Sequence, residues 1–145
     1  MSFRKLRCVL IMLVLVLAAC GESSADRAAG LAEQADAFLA DMYAGAWTVA
    51  YSRLDDERQA DCGSAQNLAH LVESAGKRPA SWTLREPTVR KQWGLISGTM
   101  EKADGSRGIA EFSLSLVDDQ WRINAWSLDN RELCLEAHAQ TNASH

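Results

Sequence analysis

Apolar spacing changes once along this chain, at Lys77-Arg78-Pro79, and that change constrains the fold more than any other feature. Before it the period is helical. Leu31, Ala35, Phe38, Leu39 and Met42 share one stripe, with Glu33, Gln34 and Asp41 on the other faces. Ala44-Gly45-Ala46 interrupts it, and Trp47, Ala50, Tyr51 and Leu54 resume at i, i+3, i+4, i+7. Asp55-Asp56-Glu57 places acids where a helix C-terminus tolerates them poorly, so a turn is expected there. Ser64 is a plausible N-cap for a third helix carrying Leu68, Leu71, Val72 and Ala75, with Gly76 as its stop.

After Pro79 the period is two. Trp82 and Leu84 alternate with polar residues, and Val89, Lys91 and Trp93 follow Pro87. A strand over 95–101 leads into a hairpin turn at Ala103-Asp104-Gly105-Ser106. Ala110, Phe112, Leu114 and Leu116 line one face of the next strand and Glu111, Ser113 and Ser115 the other. Asp118-Asp119 turns the chain into a last strand from Trp121 to about Leu128. Helices first and antiparallel strands after predict an α+β domain, N-terminal helices packed on a curved antiparallel sheet.

The first residues are of another kind. Arg4, Lys5 and Arg7 precede an unbroken apolar run from Val9 to Leu17, which ends in Leu17-Ala18-Ala19-Cys20-Gly21. The run is too short to span hydrocarbon, which takes roughly 18 to 20 residues. It resembles the signal peptide of bacterial lipoproteins, in which a leucine, two small residues and a cysteine mark the acylated thiol. The resemblance implies cleavage after residue 19, lipid on Cys20, and a cell-envelope protein held to the membrane by that lipid and facing the periplasm or exterior. Gly21 is not the aspartate that enteric bacteria read as an inner-membrane retention signal, which favours the outer membrane where the cell has one. Residues 20–30, small and polar, read as a lipidated cysteine and flexible tether, 31–136 as one domain, and 137–145 as a polar tail.

The chain has 15 Lys+Arg against 19 Asp+Glu; removing the three leader cations leaves 12 against 19, a net charge of −7. Such an acidic domain has no electrostatic reason to hold nucleic acid or anionic lipid. Of four cysteines, Cys8 leaves with the leader and Cys20 takes lipid, so Cys62 and Cys134 remain. An even pair in an exported domain suggests a disulfide; two buried free thiols are the alternative. Two cysteines and a distant His70 make no zinc spacing, and neither a metal nor a cofactor is expected.

Gly45-Ala46-Trp47, Ala50-Tyr51-Ser52-Arg53-Leu54 and a terminal Asp119-Gln120-Trp121-Arg122-Ile123, in that order of helix and strand, resemble the nuclear transport factor 2-like superfamily over roughly 31–128. Gln120 stands where the family often has glycine. The resemblance implies a cone-shaped α+β fold; members include isomerases, dehydratases, polyketide cyclases and domains without chemistry. The family's enzymes aim an acid or base into an apolar cone. Tyr51, on the inward stripe, is the best candidate for that position, and Trp47, Phe112 and Trp121 are candidate pocket walls. A core tyrosine bonded to backbone and tryptophans packed as core are the plainer readings. Asp41 and Tyr43 flank the stripe, His70 lies about 200° around its helix from Leu68, and Glu111 alternates outward, all poorer choices.

No nucleophile elbow, phosphate loop, metal triad or carboxylate pair is present. The sequence therefore predicts a non-catalytic envelope lipoprotein that binds an apolar small ligand or another envelope protein. A cone-pocket enzyme of the isomerase, dehydratase or cyclase kind, and a structural or immunity-type partner with a filled cone, are the alternatives.

Overall fold

Ser23 starts the first helix. In the computed structural model, which describes residues 23–76 and 78–134, its side chain accepts from the Asp26 backbone N–H while the Asp26 carboxylate accepts from the Ser23 backbone N–H, a capping box. Helix α1 then runs Ser24–Ala44 and ends on Gly45 in the left-handed conformation (φ 78°). The expected tether over residues 20–30 is thereby corrected: from Ser24 onward it is the opening of α1. The cap and the good helix formers Ala25, Ala28 and Ala29 carry the helix through a stretch without apolar periodicity. The leader, Cys20 and the tail 137–145 lie outside the described residues.

Helix α2 (Trp47–Ser52) follows, then α3 (Asp56–Cys62). The turn expected at Asp55-Asp56-Glu57 is instead a helix start. Asp55 caps it by accepting from the Arg58 N–H at 2.8 Å, and Asp56 and Glu57 occupy its first turn. Acids that suit a helix C-terminus badly suit the N-terminus of the next helix well. Helix α4 (Ala65–Ala75) is capped by Ser64, which accepts from the Asn67 N–H.

Five antiparallel strands complete the domain: β1 (Pro79–Leu84), β2 (Thr88–Arg90), β3 (Trp93–Lys102), β4 (Arg107–Val117) and β5 (Gln120–Leu128). Their order is β1-β3-β4-β5, with β2 also on β3. Val89, Lys91 and Trp93 do not share a strand: Arg90 pairs with Trp93 across a tight turn at Lys91 (φ 51°), so Val89 faces the core opposite Gly94 and Trp93 faces out. The Asp118-Asp119 turn has both residues at positive φ, the geometry that a two-residue hairpin favours. A bulge between Ser113 and Leu114 bends the sheet, which curves around the helices.

The core lies between helices and sheet. Leu31, Phe38, Leu39 and Met42 of α1 meet Ile96, Phe112, Leu114, Ile123 and Trp126. Phe38 is edge-on to both Phe112 (6.1 Å between centroids) and Trp126 (5.1 Å). Gly94 is required here: a Cβ would overlap the Leu31 side chain and lie 3.0 Å from the Thr88 carbonyl oxygen. On the β5 edge, Leu54 forms a parallel bridge with Ile123, the Asp55 N–H donating to the Ile123 carbonyl and the Ile123 N–H to the Arg53 carbonyl. Such a cover blunts a sheet edge that would otherwise pair with another chain. Cys62, at the end of α3, is disulfide-bonded to Cys134 beyond β5, with 4.8 Å between their Cα atoms. Both are buried, with Leu133 beside them in the core.

Candidate functional site

The interior expected to hold a pocket is filled by side chains. Among the described residues no polar or charged residue is buried. A gap of about 20 Å³ lies beside Tyr43, Val72 and Met100, enough for about one water. The Trp126 indole N–H is buried without a hydrogen-bond partner. An acid/base reaction needs convergent polar groups around a substrate-sized space, and the described interior offers neither.

Of the four pocket candidates, all in or against one core cluster, Phe112 borders a groove on the outer face of the sheet and Trp121 a separate hollow of about 350 Å³ beside Gln34, Arg53 and Arg122. The Tyr51 hydroxyl turns to α3 and donates to the Gln59 carbonyl at 2.6 Å, while the Gln59 amide donates back to the Leu54 carbonyl. This side chain ties α2 to α3 instead of aiming into a cone. Trp47 is half-buried against the rim of the core. Phe112 packs in the core against Phe38 and, with Ile96 and Trp126, borders the outer groove from beneath. Trp121 is buried, and its indole N–H donates to the Arg27 carbonyl at 3.1 Å, pinning the first turns of α1 to β5. Trp82 fixes the same helix from the other side through Asp36, at 2.8 Å.

The flanking residues also have structural partners. Asp41 receives the Arg53 Nε at 2.6 Å, and Arg53 donates in turn to the Gln34 side chain. Tyr43 donates to the Met100 sulfur. Burial, then the charge of Asp129, pushes the Tyr43 phenol up to about 12, so it stays protonated in the physiological range. At Asp129 burial opposes ionisation, but the Lys102 ammonium and the Ile109 N–H outweigh it and hold the carboxyl below its usual value. His70 is exposed. No group of three or more His, Cys, Asp or Glu among the described residues could hold a metal ion.

The large concavity is on the opposite side of the sheet. An open groove of about 620 Å³ crosses its outer face. Its floor is built from short residues at outward positions: Ser113 between Leu95 and Ala125, then Ser97, Glu111 and Ser127 in the next row. Glu86 from the β1–β2 connection and Glu132 after β5 complete its wall. Trp93, Leu95, Ile109 and Val117 also point outward, each 44–47 % exposed. Strand alternation places Glu111 outward, but no local pattern joins it to Glu86 and Glu132. The available signal was apolar Trp93, Leu95 and Val117 at positions where alternation calls for polar residues. Compared with known proteins, the chain matches no protein-family model and no curated protein.

Proposed function

We propose that the protein is a non-catalytic envelope lipoprotein, anchored through Cys20, whose nuclear transport factor 2-like domain works by binding another protein. The observation that carries this reading is the packed interior. Phe38, Phe112 and Trp126 occupy the space a cone-pocket enzyme or an apolar-ligand carrier would leave open. A filled cone moves the weight from a small ligand to a protein partner, and the Tyr51 hydroxyl is engaged with backbone instead of a substrate. The anchor reading rests on Leu17-Ala18-Ala19-Cys20 after a basic start; two or more acyl chains make such anchoring stable.

Two measurements test it. Metabolic labelling with a fatty-acid analogue should mark the wild-type protein and not Cys20→Ser; equal label in both would remove the anchor. Native mass spectrometry of the protein purified from its own membranes should find no stoichiometric small molecule. A bound apolar compound would restore the ligand-carrier alternative.

A further inference from the structure

The outer face of the sheet extends well beyond its groove. Strands β3 and β4 have 10 and 11 residues, which at about 3.3 Å per residue gives a face over roughly 30 Å long. Trp93, Leu95, Ile109 and Val117 stand along it at intervals, exposed, with serines between them. Exposed apolar area of this kind marks a surface that another chain covers.

The charge in the groove selects the occupant. Glu86, Glu111 and Glu132 come from three separate parts of the chain and converge on one groove, which among the described residues no lysine or arginine lines. Just outside it, the exposed Arg85 stands beside Ser97, whose carbonyl accepts from the Arg85 N–H, and Arg90 and Arg122 stand at the Trp93 end. Carboxylates over low-dielectric walls focus an attractive field for cations. Anionic lipid and nucleic acid are repelled by the same field, and a second copy laid groove to groove would set like charges against each other.

We infer that this face docks a cationic, partly apolar segment of another envelope protein. Its lysine or arginine side chains enter between Glu86, Glu111 and Glu132, and an apolar side chain covers Leu95. The inference rests on the protein-binding reading above and names the surface and the chemistry of the partner.

The full chain, solubilised in detergent, is titrated with a fluorescent peptide of alternating lysine and leucine, and with one of alternating glutamate and leucine. The lysine peptide should bind and the glutamate peptide should not. Replacing Glu86, Glu111 and Glu132 together by glutamine should weaken binding about tenfold or more, and added salt should do the same. Removing equal charge from the helix side, with Glu33, Glu57 and Glu73 changed to glutamine, should alter affinity by less than about twofold. Leu95→Ser should weaken binding with all carboxylates present. Equal weakening by both triple variants would reveal general attraction to an acidic protein and overturn the site. Displacement by spermidine at the same charge concentration, or dimerisation through the groove, would overturn the assignment to a protein segment. A photo-crosslinking residue at Ser97 should, in living cells, capture a peptide that contains lysine or arginine. Capture from Glu33 but not from Ser97 would leave protein binding standing and remove the sheet face; capture from neither would remove both.

Discussion

Tyr51 looks in sequence like a residue for chemistry and is in structure a fastener. Its hydroxyl closes a short loop between α2 and α3 through the Gln59 carbonyl. Tyr51→Phe should lower stability by about 0.5–1.5 kcal/mol, and Tyr51→Ala by roughly 2–4 kcal/mol because a half-buried ring is also lost. Urea denaturation reads both. Loss of cellular function in a fully stable Tyr51→Phe would return the enzyme reading to first place. Asp129 has the opposite profile, legible only in structure. Its folded carboxyl titrates below its unfolded value, so the stability it contributes is present above about pH 4 and is lost as pH falls through the folded value. Asp129→Asn should therefore flatten the acid limb of a plot of melting temperature against pH and lower the melting temperature near neutrality. An unchanged acid limb would show that other carboxylates dominate acid unfolding.

At the scale of elements, what sequence reveals is local and what it hides is relational. Ser64 and Gly76 bracket α4, and the hairpin turns lie where Asp104-Gly105 and Asp118-Asp119 place them, because capping and turn preferences act within a few residues. The start of α1 is hidden because Ser23 and Asp26 cap a stretch without an apolar stripe. Helix α3 is hidden because Asp55 to Glu57 closes one apolar run and starts the next helix with no spacer. The outer groove is hidden for a stronger reason: its walls are joined only by strand pairing. Gly94 shows how tight the helix–sheet contact is. Gly94→Ala should cost about 1–3 kcal/mol by overpacking against Leu31, and Leu31→Ala in the same chain should recover part of what the added methyl costs. Strict additivity of the two in chemical denaturation would contradict that contact.

Over the whole molecule, the α+β order and the curved sheet follow from the change of period at Lys77-Arg78-Pro79, whereas the way the interior is filled does not. Volume inside a sheet depends on how Phe38, Phe112 and Trp126 choose to pack, and no pattern along the chain records it. The Cys62–Cys134 bond ties α3 to the segment after β5 across a separation of 72 residues. Chain-entropy arguments set its contribution near 4 kcal/mol at most. Replacing both cysteines by serine should lower the denaturation midpoint in proportion, and a midpoint that does not move would mean the reduced chain is already held by Leu133 and its neighbours. The early start of α1 has a consequence for where the protein can work. Only Gly21 and Glu22 separate Cys20 from the cap at Ser23, a span of roughly 11 Å at full extension. With Cys20 acylated, as we propose, the domain has no leash. It would then ride on the bilayer surface, and its encounters would become lateral diffusion in two dimensions, with neighbours embedded in or resting on the same leaflet.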